Sequence, residues 1–392
     1  ILADPEQCKR HFSESRWLAF KKDARWFREQ MGMNYWEDAQ KDHGYNATPV
    51  WGIAGSILAN QTEASQLSIR LLALLDPLLL MTMWGFVYWA FGWRALCVAM
   101  IWWGTNHLAG FYWNGGAYLR MDWLALSIIS ICLVRKRKMA AGGAILACAA
   151  GLRIFPVLIA SGLVLKALVV IWRARRLTID KGHLRFAIGA LGAGALLLGV
   201  SSAEFGSFNV WSEFADNSRL HLETPLTNNA GLKTALSYDE SSNMRQATAY
   251  DLDDPYQTWK QARQDTFSAR FPVYLIVVSA FIALLARRVR DEEDWIALTL
   301  GIGMIPVAIE LSCYYYSIML GFGFLWLQSR YAVGASLSAL ALFTQIVPIT
   351  TGYNDEIYSA ASLAIVVFVF AITVMRPRAS ASIANQREER LT

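Results

Sequence analysis

Apolar residues along this chain gather into long runs separated by short polar turns. Set against the roughly 20 residues that a membrane-spanning helix needs, the runs predict spans at 71–91, 94–110, 119–134, 185–202, 271–286, 295–311, 314–329, 332–349 and 359–375. Between the cation runs Arg135 to Lys138 and Arg173 to Arg176 lies only the segment 139–172. At ~1.5 Å per helical residue it makes two thin spans or one re-entrant hairpin. The tip is "GLRIFP", where Gly151, Arg153 and Pro156 interrupt the helix within the membrane. The predicted fold class is all-α: a polytopic transmembrane helical bundle with external amphipathic helices and one long external loop.

The polar segments divide this bundle. Residues 1–70 form an external segment with interfacial helices, and 71–203 carry the first transmembrane helices, including the hairpin. Residues 204–270 form an external loop, 271–375 the C-terminal transmembrane helices and 376–392 a cytoplasmic tail. Cations recur at Arg94, 135–138, 173–185, Arg287, Arg288, Arg290, Arg330, Arg376 and Arg378. All fall on one side if every span is real, and the positive-inside rule makes that side cytoplasmic. The loop 204–270 holds ten Asp or Glu against six Lys or Arg, which suits the opposite face. A polar segment 1–70 placed outside needs a signal or anchor helix ahead of it. Because the chain begins with Ile1, at least one further span is expected before it.

Composition narrows the class. The chain is 55% apolar with 17% charged residues, and its mean hydropathy is +0.30, beyond an ordinary water-facing surface. Many of the sixteen Trp sit near span ends, as in interfacial aromatic belts. The net charge of +5 is mild and lies in short turns, which suits membrane orientation and gives no nucleic-acid partner. Cys8, Cys97, Cys132, Cys148 and Cys313 are scattered singly, so neither a zinc site nor a disulfide framework is indicated. They read as small packing residues.

Candidate chemistry lies at span mouths and in the external segments. "RWLAFKKDARWFREQM" interleaves Trp17, Phe20, Trp26 and Phe27 with cations and reads as an interfacial amphipathic helix. Beyond it Asp42 and His43 precede Gly44, and Pro49 opens a short apolar helix along the membrane surface. Asp42 and His43 are either a solvated turn or an acid/base pair that takes a proton from an acceptor hydroxyl. In "GGAYLRMDWLAL", Arg120 and Asp122 stand two positions apart, where helical side chains do not face each other. They are either a snorkelling interface pair with Asp122 near the helix start, or an arginine that grips phosphate with an aspartate that orients it or meets a sugar hydroxyl. For Gly115 and Gly116 the expectation is a break that lets the span begin after Met121. Arg153 is harder to place in lipid, since a charge at mid-membrane costs at least ~2.5 to 3.5 kcal/mol without a partner or wet cavity. It pairs with Asp76 or Glu310, or it engages an anionic headgroup. In the long loop His221, Asn228 and Asn229 stand among aromatics, a mixture that suits sugar hydroxyls and ordinary wet loops alike.

The order "GGAYLRMDWLAL", "AGGAILACAAGLRIFPVLIASGLVL", "FNVWSEFADNSRLH", "PLTNNAGL" over residues 30 to 235 resembles polytopic glycosyltransferases of the GT-C superfamily, in particular family 87 of mannosyltransferase type. Arg153 with Ile154, Phe155 and Pro156 fills the place of that family's Lys-x-x-Pro-like hairpin. The resemblance implies inverting transfer of a sugar from a polyprenyl-phosphate donor to an acceptor on the external face, without a nucleotide sugar or Rossmann domain; no cofactor and no metal-ligating residue is identified in the sequence. Its partners would be the lipid-linked donor and membrane lipids, with residues 1–70 and 204–270 in the periplasm of a bacterial inner membrane. The catalytic base is expected early in the first external loop, either ahead of Ile1, with Asp42 a mere neighbour, or at Asp42 as an in-loop substitute with His43 beside it. Two rivals stay open: a secondary transporter, which would show two halves of matching hydropathy, and a non-catalytic membrane subunit or scaffold.

Overall fold

The computed structural model describes residues 6–10, 12–40, 46–110 and 118–375 of the chain. Those residues form an all-α bundle, relieved only by a two-residue antiparallel pairing of Asn229–Ala230 with Leu311–Ser312. Six helical stretches are long and apolar enough to cross a membrane: Gln66–Thr105, Phe155–Ala174, Lys181–Glu204, Gln257–Val289, Arg330–Thr350 and Asn354–Val374. The first of these is folded back on itself. Gly92 takes φ 81° and ψ 173°, outside the helical region, and the rings of Trp84 and Trp103 meet at 6.1 Å. In a straight helix those residues would lie about 28 Å apart, so the chain reverses at Gly92 and the stretch makes two antiparallel passes.

Side-chain pairings fix which segment ends share a face of the bundle. At one end Lys136 and Lys138 lie over the ring of Trp89, and Arg135 donates to Glu293 at 2.9 Å. Lys166 and His183 there meet Asp294 at 2.6 and 3.0 Å, while buried Arg288 bonds Glu292 and Gln328. At the opposite end Gln345 donates to the Thr105 carbonyl at 2.7 Å, Lys233 pairs with Glu310 at 3.1 Å, and Trp259 and the Met244 amide both donate to Asp355. Below, the first is the cation end and the second the site end. Consecutive segments run from one to the other and back.

Several elements differ from the sequence expectation for physical reasons. The run read as 271–286 belongs to a 33-residue helix, Gln257–Val289, whose polar first turns pack Trp259 and Arg263 beneath the external segment. The run read as 314–329 is a 15-residue 3₁₀ helix, Cys313–Leu327. At about 2.0 Å per residue that short stretch spans about 30 Å, so it reaches from one end of the bundle to the other. The run read as 295–311 divides into Asp294–Gly301 and Met304–Ala308. The segment 204–270 is not merely a solvated loop. It carries the helix Asn209–Glu223 and then returns to the bundle, where Ala230, Leu232 and Thr234 are buried.

Small residues let backbones meet where the short helix Met139–Leu152 crosses Lys181–Glu204. A Cβ at Gly189 would stand 1.9 Å from the Ala140 carbonyl oxygen, whereas one at Gly192 would meet nothing within 4 Å. Gly189→Ala is therefore expected to destabilise the detergent-solubilised protein by about 1–3 kcal/mol through overpacking. Gly192→Ala, which gains helix propensity without a clash, should leave the melting temperature unchanged or raise it. Equal melting temperatures for the two variants would contradict this packing.

Candidate functional site

The chain approaches the site through an irregular stretch in which Leu119 holds a left-handed φ of 52°. The helix Asp122–Arg135 then begins abruptly at Asp122, so Arg120 lies outside it and the two residues escape the geometry of a shared helix. Gly115 and Gly116, expected to break the chain here, lie outside the described residues. What stops the helix from extending backward is Asp76. Both its carboxylate oxygens accept the Arg120 amide N–H at 3.1 Å, and Oδ1 also accepts that of Met121 at 3.2 Å. A helix start leaves its first amides without intrahelical partners, and a carboxylate there satisfies them while complementing the positive helix end. Asp76, 5% exposed, thus fixes the entrance backbone from the facing span.

Asp122 itself is 4% exposed. Its Oδ1 accepts the Trp123 amide at 2.7 Å, while Oδ2 is buried with no hydrogen-bond partner. A buried carboxylate oxygen without a partner is unfavourable, which makes Oδ2 the most exceptional polar atom of this layer.

Arg153 caps the C-terminus of Met139–Leu152 in extended conformation, and the 3₁₀ turn Phe155–Ala160, opened by Pro156, follows immediately. The hairpin tip expected from "GLRIFP" is thereby formed, at the level where the helix Asp122–Arg135 starts. The guanidinium donates one hydrogen bond, from Nη1 to the Leu152 carbonyl at 2.9 Å. Its Cζ lies over the Trp51 ring, 5.6 Å from the ring centroid. No salt bridge joins Arg153 to Asp76 or to Glu310. Asp76 is occupied by backbone amides, and Glu310 by Thr234 and Lys233.

Trp51 comes from the helix Pro49–Ala59, whose first turn, at Pro49 and Val50, is buried. Thr48, its N-cap, donates to the Gly151 carbonyl at 2.6 Å, and the Trp51 indole N–H donates to the Leu119 carbonyl at 3.1 Å. The short helix therefore ties together the two segments that carry the arginines.

An aromatic wall closes the other side. The rings of Trp123, Phe155 and Tyr315 contact one another with centroids 4.9 to 5.4 Å apart, and the Arg120 guanidinium lies over Tyr314 at 5.2 Å. These tyrosines follow the Asn229–Ser312 pairing directly. Asn228 accepts the Cys313 amide through its backbone carbonyl at 2.8 Å, and Asn229 is buried in the pairing. Both asparagines sit at the seam that positions the wall. His221 meets the Asn46 amide at 2.8 Å, near the base of the Trp51 helix.

Arg120, Asp122 and Arg153 are thus brought into one layer, with His221 at its margin. Asp42 and His43 lie outside the described residues. Sequence reading missed Asp76, Trp51, Tyr314 and Tyr315 as site residues. A lone acid opening an apolar run in "LLDPLL" and three tyrosines at a span mouth in "SCYYYSIM" were the available signals. Two concavities, of about 650 and 110 Å³, lie at the cation end, around Trp172 and between Arg135 and Asp294. None of the residues of this layer lines either concavity; its chemistry, not a cavity, makes the layer the candidate. Comparison of the chain with protein-family models, with curated proteins and with solved structures finds no match.

Proposed function

We propose that this chain is an integral membrane glycosyltransferase that moves a sugar from a polyprenyl-phosphate-linked donor to an acceptor at the site end of the bundle. The observation that carries the reading is the placement, in one layer, of a buried carboxylate with an open oxygen and an arginine with most of its donors unengaged. Depth supports it. The 14-residue helix Asp122–Arg135 rises about 21 Å, roughly 9 Å less than a ~30 Å hydrocarbon layer. If the cation turn sits at the cytoplasmic edge, Asp122 and Arg153 come about 9 Å short of the opposite edge of the hydrocarbon layer, within reach of a headgroup on that side. Ile154 and Val157, each 52% exposed, flank Arg153 on the outward face, so a lipid tail can remain in the bilayer while its headgroup reaches the guanidinium.

In this reading the acceptor hydroxyl gives its proton to Oδ2 of Asp122 as its oxygen bonds the anomeric carbon. The bond from that carbon to the donor phosphate breaks on the opposite face, so configuration inverts. Polyprenyl phosphate leaves with one more negative charge, which the Arg153 guanidinium offsets. Asp42 lies outside the described residues, and Asp122 takes the role of base on the strength of its open oxygen. The test is transfer of label from polyprenyl-phosphate-linked hexoses by the full chain in membrane vesicles. Labelled, inverted glycoside is the expected product. Absence of any transfer across the donor panel, with folded protein present, would overturn the reading.

A further inference from the structure

We propose that Trp51 keeps Arg153 and Asp122 from neutralising each other, so that the edge of the guanidinium stays available to an anionic lipid headgroup. The inference rests on the transferase reading only for the identity of that headgroup.

Arg153 and Asp122 are oppositely charged and share one layer, and each lacks partners it could find in the other. Arginine offers five N–H donors, of which one is engaged by the Leu152 carbonyl, and Asp122 Oδ2 accepts none. Direct pairing would satisfy both, and in a medium of low dielectric it is strongly attractive. The structure nevertheless leaves them unpaired. What holds the guanidinium elsewhere is the Trp51 face at 5.6 Å. A cation–π contact consumes no oxygen acceptor and leaves the donors other than the one given to the Leu152 carbonyl available, which a carboxylate partner would not. The indole is itself fixed at two points. Its N–H donates to the Leu119 carbonyl, and its backbone amide donates to Thr48 Oγ1, which in turn donates to the Gly151 carbonyl. The ring is therefore anchored to both segments of the site and acts as a positioning residue. Exposed Ile154 and Val157 beside Arg153 place the uncommitted edge within reach of a headgroup arriving from lipid.

The experiment measures binding of a short-chain polyprenyl phosphate to the purified full chain in nanodiscs, with inorganic phosphate as competitor. Trp51→Phe keeps an aromatic face and should bind within about 3-fold of the parent protein, whereas Trp51→Leu should bind about 10-fold more weakly. Adding Asp122→Asn to Trp51→Leu removes the carboxylate that captures Arg153 and should restore binding to within about 3-fold. Melting temperatures of all variants report folding separately. Undiminished binding by Trp51→Leu, or equal weakness of the single and double variants, would overturn the inference while leaving the transferase reading in place. Competition by inorganic phosphate at the same concentration as the lipid would overturn the lipid origin of the ligand. Failure of the parent protein to bind the polyprenyl phosphate would overturn both proposals.

Discussion

Replacing Asp122 by Asn is expected to lower the proposed sugar transfer by about 100- to 10,000-fold, the range by which a positioned general base accelerates reaction, and to leave the fold intact. The substitution is close to isosteric, and the amide oxygen can still accept the Trp123 N–H that Oδ1 accepts now. What is lost is the open, basic Oδ2. Because that oxygen is buried without a partner, the variant also sheds a desolvated charge, so its melting temperature should equal or exceed that of the parent. Asp76→Asn gives the opposite pattern. Asp76 accepts from two backbone amides, and weakening those charge-assisted bonds destabilises the helix start. Transfer assays and thermal melts on the two variants separate the roles. Full activity in Asp122→Asn would reduce Asp122 to a helix-start residue.

Arg153→Met is expected to weaken donor binding by about 100-fold or more, since a phosphate loses two charge-assisted hydrogen bonds each worth roughly 1.5 kcal/mol or above. Arg153→Lys should retain part of the affinity, because it keeps the charge but not the planar fork. Stability should survive both changes. Arg153 makes one hydrogen bond, to its neighbour's carbonyl, and a methionine thioether can lie against the Trp51 ring that the guanidinium now covers. Donor titration of membranes that contain equal amounts of each variant reads the result. Undiminished transfer by Arg153→Met would make the charge structural.

The helical bundle was legible because apolar run length and turn cations are strong, local signals. The start of a helix at Asp122, rather than through Arg120, was legible as well, since a charged pair two positions apart on one helix makes no sense in lipid. The partners of these residues were not. Asp76 could be suspected as an ion-pair partner for Arg153, yet it binds the Arg120 and Met121 amides, and backbone amides leave no trace in a sequence. The seam of Asn229–Ala230 with Leu311–Ser312 is two residues long, too short for any periodicity, so the return of the external segment to Tyr314 and Tyr315 stayed hidden. The reversal at Gly92 was implied by Arg94 between two apolar runs, although the helical pattern continues through it. Trp51 belongs to a chain with sixteen tryptophans, and nothing local distinguishes a ring that holds a guanidinium from one that rests at an interface.

In the proposed function a lipid-borne phosphate is held by Arg153 while the sugar it carries faces Asp122. Electron cryomicroscopy of the full chain in nanodiscs, with a non-transferable phosphonate analogue of a polyprenyl-phosphate-linked hexose, tests it most directly. The account predicts the phosphonate within hydrogen-bond distance of the Arg153 guanidinium, the isoprenoid passing outward beside Ile154 and Val157, and the hexose between Asp122 and the Tyr315 wall. A headgroup bound elsewhere, with Arg153 and Asp122 joined in a closed ion pair, would contradict it.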